Sequence, residues 1–287
     1  MISTTAAYLA ISNNLARQQA ATAAQADVKA ATNYYLANIG KVTSAAALLK
    51  DDRLFSYAMT AFGLGDMVYA KGLMAKVLSQ GVTDAKALAN TLTDTRYKAF
   101  AAVFDFAGHG AAATQTTAAT TGTTAKYVEQ RLENDQAKVS QGVSNALYFA
   151  RHASSITSVY GLLADSKMLN VVETAYGISS TLGQSGIDVQ AAVLTKVVPL
   201  ADLQDAAKVA KIISRYTARY DATKSGTVAN VLVADTSDAF TSILDAASGV
   251  GAAPAGSVLS LFGSGASATT GIGSDLLISL AKLNKGG

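Results

Sequence analysis

The sequence predicts an all-α, multihelical protein, and three observations support this fold class. First, apolar residues recur with the three–four spacing of a helix that buries one face. Second, the chain of 287 residues has only two prolines, and strand-like alternation is scarce. Third, glycine, serine, threonine and aspartate separate the apolar stretches, where helix caps are expected. One predicted stripe consists of Ala70, Leu73, Met74, Val77 and Leu78, and another of Tyr97, Phe100 and Phe104.

The composition argues against several classes of protein. No apolar run approaches the roughly 20 residues that span a bilayer, and the N-terminus lacks the basic start and apolar stretch of a secretory signal. The net charge is only +3, and lysine and arginine are scattered among acidic residues, so no nucleic-acid-binding face is expected. The chain has no cysteine, which excludes disulfides and thiolate metal sites and suits the cytoplasm and export equally.

An internal repeat is the strongest pattern in the chain. Residues 34–64 match residues 148–178 without a gap, and the aromatic pairs Tyr34–Tyr35 and Tyr148–Phe149 begin the two copies. After a short insertion near residues 179–185, Lys76–Val77 corresponds to Lys196–Val197, and Arg96–Tyr97 lies at a depth similar to Arg215–Tyr216. Chance agreement over this length is improbable, so we interpret the pattern as an internal duplication that gives two related helical bundles.

Most repeated positions have an architectural explanation. Ser44 and Ser158 can cap short helices whose leucine pairs, such as Leu48–Leu49, point inward. Asp51 and Asp165 stand where the next helix begins, and a carboxylate there accepts hydrogen bonds from free backbone amides. That helix buries a stripe at Leu54, Phe55, Ala58, Ala61 and Phe62. Gly63 and Gly177 can end it in a left-handed conformation, with Leu64 or Ile178 folding back onto it.

Five regions follow from these boundaries. Residues 1–26 carry one charge, Arg17, and predict a long amphipathic N-terminal helix that packs on the body or awaits a partner. Residues 27–110 form the first unit, and residues 126–224 form the second unit. Residues 111–125, rich in alanine and threonine, predict a mobile linker. Residues 225–287 predict a Gly/Ala/Ser-rich region with a short helix at 274–283.

No set of residues points to catalysis, a cofactor or a small-molecule substrate. His109 and His152 stand apart from other metal ligands, so no metal site is expected. Asp51, Asp52 and Asp66 resemble paired carboxylates, but helix capping explains them more simply. A loose dinucleotide pattern at residues 263–268 lacks the alternating strands and helices that it requires. We interpret Tyr69, Tyr97, Phe100 and Phe104 as core residues rather than a platform for stacking bases.

Several runs resemble a bacterial family that is defined only as a domain of unknown function. In the first unit these are residues 34–44, 52–67, 69–71 and 76–78, and in the second they are 186–191 and 203–205. The resemblance implies a multihelical fold with two related bundles. It also implies a role in motility, because members are encoded among the flagellar genes of alphaproteobacteria. Alanines follow Ser44 where the family has acidic or bulkier residues, which is expected to loosen that short helix.

Two hypotheses for function remain. In the first, the chain is a non-enzymatic structural or accessory protein of the flagellum, exported and bound to flagellar or other helical proteins or to further copies of itself. In the second, it is a cytoplasmic adaptor or chaperone for flagellar assembly or export, because helical bundles can hold a partner helix in an apolar groove. An enzyme is a distant third.

Overall fold

A computed structural model describes residues 2–224 and confirms the predicted fold class: within this range the chain is helical and contains no strand. The first ten α-helices are α1 (Thr4–Ser12), α2 (Leu15–Ala23), α3 (Ala26–Asn38), α4 (Ala45–Lys50), α5 (Asp52–Ala61), α6 (Lys71–Gln80), α7 (Leu88–Thr91), α8 (Thr95–Val103), α9 (Phe106–His109) and α10 (Thr123–Val139). The other six are α11 (Gln141–His152), α12 (Val159–Ala164), α13 (Ser166–Tyr176), α14 (Ile187–Val197), α15 (Leu200–Leu203) and α16 (Ala206–Lys224). Of these described helices, none is long and apolar enough to cross a membrane.

The predicted N-terminal caps form in both units with the same geometry. The Oγ atoms of Ser44 and Ser158 each accept a hydrogen bond from the backbone amide three residues later, at 3.2 and 3.0 Å. Asp51 Oδ1 accepts hydrogen bonds from the amides of Arg53 and Leu54, both at 3.0 Å. Asp165 Oδ1 does the same for the first amides of α13, at 3.1 and 3.2 Å. Each cap satisfies donors that the helix itself leaves free.

The predicted glycine stops also form in both units. Gly63 and Gly177 adopt left-handed backbones, with φ of 71° and 68°. The amide of Leu64 then donates to Met59 O at 2.8 Å, and that of Ile178 donates to Glu173 O at 2.9 Å. This bond, with the apolar residue after the glycine folded back and buried, is the Schellman arrangement. The end of α5 and the end of α13 are therefore held in the same way.

The buried apolar residues form two large clusters. The first lies in the first unit, and its members include Tyr35, Phe55, Met59, Phe62, Phe100 and Phe104. The second lies in the second unit and includes Tyr148, Phe149, Met168, Leu194, Ile213 and Tyr216. Helix α10 packs on α5 of the first unit and on α11 of the second, so it joins the two cores.

The N-terminal prediction of one long helix is wrong. The chain breaks at Asn13–Asn14 into α1 and α2, and the Asn14 side chain donates to Ala10 O at 3.1 Å. Asparagine competes for helix backbone groups in this way, which favours a break. Helix α1 is docked: its first amide, that of Thr4, donates to both carboxylate oxygens of Asp221 at 3.0 and 2.8 Å. The side chain of Ile11 in α1 packs with residues of α10 and α11 in a small third cluster of buried apolar residues.

The prediction that residues 111–125 are a mobile linker is also wrong. A 3₁₀ helix at Gly110–Gln115 and a π-helical turn at Ala118–Gly122 precede α10. The hydroxyl of Thr114 donates to Val42 O at 2.7 Å, and the buried hydroxyl of Tyr35 donates to Ala119 O at 2.6 Å. Small side chains allow this close approach, and threonine hydroxyls supply the hydrogen bonds. The same composition that resembles a flexible linker therefore builds a packed connection.

Smaller differences concern single residues. Tyr69, predicted in the core, is 79% exposed, because it lies in the loop before α6 rather than on a buried helix face. Within the leucine pair of α4, Leu48 is fully buried but Leu49 is only partly covered. The pattern at residues 263–268 and the helix predicted at 274–283 lie outside the described residues. The division into units at 27–110 and 126–224 stays a prediction.

Candidate functional site

A cluster of buried polar side chains lies where α10 and α11 pack together. Arg151 Nε donates to Glu133 Oε1 at 2.7 Å, and Arg151 Nη2 donates to Glu133 Oε2 at 2.8 Å and to Gln130 Oε1 at 2.9 Å. The Glu133 side chain is 4% exposed. Gln130 in turn donates to Asn134 at 3.0 Å. We call Gln130, Glu133 and Arg151 the buried polar cluster.

Within the buried polar cluster, the Glu133 carboxylate and the Arg151 guanidinium interact directly. Burial raises the pKa of the Glu133 carboxyl, and the hydrogen bond from Arg151 opposes that rise. Both carboxylate oxygens of Glu133 accept hydrogen bonds from the Arg151 guanidinium. A bidentate pair of this kind offsets its own desolvation and holds two helices in one register. The arrangement is suited to fixing α10 against α11.

A second charged group continues the polar region toward the first unit. Arg96 at the start of α8 forms a bidentate pair with Asp94, through Nε and Nη2, and its Nη1 donates to Gly63 O at 2.7 Å. An added Cβ at Gly63 would lie 3.4 Å from Gln130 Oε1. The glycine stop of α5 therefore lies between Arg96 and the buried polar cluster.

In the second unit, a tyrosine–aspartate pair lies beside these arginines. The Tyr148 hydroxyl donates to Asp165 Oδ2 at 2.6 Å, and both residues are buried. Burial and the neighbouring Asp165 charge raise the pKa of Tyr148. Tyr34 donates to the equivalent Asp51 Oδ2 at 2.8 Å in a more open setting. The two capping aspartates thus share one hydrogen-bonding pattern but differ in burial.

The two histidines occupy very different positions. The ring of His152 packs 4.3 Å from that of Tyr148, and its buried Nε2 has no hydrogen-bond partner among the described residues. Burial, together with the positive charges of Arg151 and Arg96, lowers the pKa of His152 to about 2. His109 is exposed, with Nδ1 3.2 Å from Asp105 Oδ2. In the part of the chain that the structure describes, no three histidine or acidic side chains converge as metal ligands.

A groove opens above the buried polar cluster, between α1–α2 and α10–α11. Its volume is about 260 Å³, and its walls are mainly apolar, with the charged side chains of Glu129, Glu133 and Arg151 also in the lining. We call this space the N-terminal groove; its apolar lining includes Tyr8, Leu15, Leu132 and Leu147. Pockets for small-molecule ligands range from about 300 to 1,000 Å³. The groove is smaller than this range, and its volume suits one or two side chains of a partner protein.

The structure separates the other residues that the sequence singled out. Asp51 caps α5, Asp52 forms an ion pair with Lys71, and Asp66 lies exposed in a 3₁₀ turn. Tyr97, Phe100 and Phe104 are buried, as predicted. No sequence signal marks the pair of Glu133 and Arg151, because they are 18 positions apart and belong to no motif. Only the packing of α10 against α11 brings them together.

The fold and this site define an all-α multihelical protein whose interior holds a closed network of paired charges. The family model described as "Protein of unknown function (DUF1217)" matches residues 61–209, and the chain belongs to this family. The structure is similar to an X-ray crystal structure of a protein from Agrobacterium tumefaciens, with 38% sequence identity and a TM-score of 0.71. That match covers 78% of this chain and 97% of the other. A search of curated proteins found no match.

Proposed function

We propose that this chain is a non-enzymatic structural or accessory protein of the bacterial flagellum, acting through helix-mediated contacts with other proteins. The observation that carries the proposal is its membership of DUF1217, together with the resemblance of residues 34–44 and 52–67 to a family encoded among flagellar genes. Glu133 and Arg151 line the N-terminal groove but bind each other as a bidentate pair, which supports a structural use of these charges. Contacts with partners then fall to the outer helix faces.

We also propose that the two units arose by internal duplication. The order of helices from α3 to α8 corresponds to the order from α11 to α16, with a 3₁₀ turn after the first helix of each series. The serine caps, the aspartate caps and the left-handed glycines recur at matching positions. Agreement in both order and local geometry supports a common origin more strongly than sequence matches alone.

The test is an in-frame deletion in the source bacterium, scored for swimming and for filament assembly, with cell fractionation of a tagged copy. The proposal expects impaired swimming or assembly, restored by the complementing gene, and the protein in the flagellar fraction. Normal swimming and normal filaments in the deletion strain would overturn it. A protein found only in the cytoplasm while secretion is intact would overturn the structural role.

The second candidate is a cytoplasmic adaptor or chaperone for flagellar assembly or export, and the N-terminal groove favours it. An apolar groove with charged side chains in its lining can hold the face of an amphipathic helix. A Leu132→Glu variant would place a charge in that groove, and a Leu9→Glu variant, exposed on α1 but outside the groove lining, is the matched control. Loss of a defined export substrate in pull-down with the first variant alone would support the adaptor role.

A further inference from the structure

An open groove in the first unit lies between α4, α6 and α9. Its volume is about 540 Å³, and its lining is mostly apolar: Ala45, Ala46, Leu49, Ala75, Phe106 and Ala107. Lys76 stands at its edge, is exposed, and forms no ion pair with any described residue. We call this the alanine groove. Its width follows from the short side chains on α4.

The second unit has a protruding residue at the corresponding position. In the gapless register of the repeat, Ala46 corresponds to Tyr160 on α12. The Tyr160 hydroxyl donates to Asp188 Oδ1 of α14 at 3.0 Å, yet the side chain stays 45% exposed. Ile187 and Val189 beside Asp188 are also exposed. We call Tyr160, Ile187, Asp188 and Val189 the tyrosine knob.

We propose that copies of this chain associate head to tail, with the tyrosine knob of one copy seated in the alanine groove of the next. The groove lacks the aromatic side chain that occupies the same place in the second unit, and the knob presents such a side chain. The charges are complementary, because Asp188 accompanies the knob and the unpaired Lys76 borders the groove. Buried aromatic anchors flanked by paired charges are typical of the energetic centre of an interface.

Head-to-tail seating of the knob of one copy in the groove of the next determines the kind of assembly. Such a contact joins unlike surfaces, and it leaves a free knob on one copy and a free groove on another. Such a heterologous contact generates closed rings or open chains rather than a simple symmetric dimer. This inference goes beyond the flagellar proposal and does not depend on it.

The first experiment measures the mass of the full chain by sedimentation at low salt, up to about 1 mM, where weak specific contacts are populated. The wild-type chain is expected to exceed dimer mass as concentration rises. Tyr160→Ala removes the knob and Ala46→Tyr fills the groove with the residue found in the other unit. Each is expected to weaken self-association about tenfold or more, as loss of an anchor does.

Mixing these two variants gives the decisive result. Tyr160→Ala keeps an intact groove and Ala46→Tyr keeps an intact knob, so an equimolar mixture should form a one-to-one dimer and nothing larger. A wild-type chain that stays monomeric throughout would overturn the proposal. Variants that associate as the wild type does, or a mixture that forms no dimer, would overturn it too.

A second pair of variants keeps the test valid if the first pair disturbs folding. Lys76→Glu and Asp188→Lys alter exposed side chains, and each alone should weaken association, while the double variant should regain it. Lys196→Glu changes the residue that corresponds to Lys76 in the second unit and should leave association unchanged. Failure of the double variant to recover would count against the proposed ion pair. Swimming of the deletion strain reports separately on the flagellar proposal.

Discussion

The two units share one plan of helices but differ in what that plan encloses. In the register of the repeat, Ala37 and Asn38 of α3 correspond to Arg151 and His152 of α11. The first pair lies on a partly exposed helix end, whereas in the second pair Arg151 carries a charge that is paired with Glu133 of α10. Caps and stops therefore determine the shared scaffold, while the interior can be apolar or charged as long as each buried charge has a partner.

The helices that neighbour α3 and α11 also differ between the two units. Helix α16 is 19 residues long as described and α8 is 9, so α16 reaches further along its unit. Gly142 on α11 leaves room for this: a Cβ there would meet the Tyr220 ring at 2.6 Å and Thr4 at 2.9 Å. The corresponding residue of α3 is Val28, which is itself buried. Where the first unit has the buried side chain of Val28, the second unit has Gly142, and α1 and α16 pack closely against it.

The largest expected effect comes from Phe62, whose ring packs edge-on against Phe100 and Phe104 in the first core. Phe62→Ala should lower the free energy of unfolding by about 3–5 kcal/mol, since a large buried ring is lost. The corresponding Tyr176 is only partly buried, so Tyr176→Ala should cost less. Urea denaturation of both variants measures the difference, and a near-zero change for Phe62→Ala would place that ring outside the core.

The next effect concerns the buried charge pair of Glu133 and Arg151. Arg151→Met should cost about 3 kcal/mol or more, because it leaves the Glu133 carboxylate buried without its partner. The double variant Glu133→Leu with Arg151→Met should recover most of that loss, since no charge remains to be paired. Denaturant unfolding of all three chains measures this. If the double variant is as unstable as the single one, packing rather than charge is responsible.

Replacing His152 with asparagine, the residue at the corresponding position of the first unit, should change how the free energy of unfolding depends on pH. The folded-state pKa of His152 is about 2, below its ordinary value of 6.5, so only the unfolded chain takes up the proton between these values. The contribution of His152 to the free energy of unfolding is therefore fully present above pH 6.5. It is lost as the pH falls, by up to about 1.4 kcal/mol per pH unit.

His152→Asn, matching Asn38, should flatten the fall in stability between pH 6.5 and 4. Unfolding midpoints measured across this range for both chains would show the change. Equal slopes in the two chains would mean that the imidazole takes up a proton in the folded state.

The smallest expected effect is the loss of stability on removing a tyrosine hydroxyl that donates a hydrogen bond to a capping aspartate. Two such tyrosines can be compared. Tyr148→Phe removes a hydrogen bond to a buried carboxylate and should cost about 1.5 kcal/mol. Tyr34→Phe removes the equivalent bond at a more open site, where water can replace it, and should cost less. Thermal or urea unfolding ranks the two variants. A larger loss for Tyr34→Phe would show that burial does not set the strength of this contact.

Much of the scaffold could be predicted from sequence because its signals are local. The serine and aspartate caps and the glycine stops depend on residues within a few positions of one another, and the structure confirms them. The packing of residues 111–125 depends on contacts with distant segments, so composition misled there. The break at Asn13–Asn14 had a local signal in its two asparagines, which the apolar pattern of the segment obscured. The buried polar cluster was not predictable, because Glu133 and Arg151 become neighbours only when α10 packs on α11.

The hydrogen bonds between Thr4 and Asp221 join residues that are 217 positions apart. During translation, α1 leaves the ribosome first, but the helix that receives it is among the last of the described helices to be made. The apolar partners of Ile11 lie on α10 and α11, so its side chain stays uncovered until those helices have been synthesised. Contacts this distant in sequence form slowly, because a long loop must close first. The hydrogen bonds between Thr4 and Asp221 can therefore form only after α16 has been synthesised.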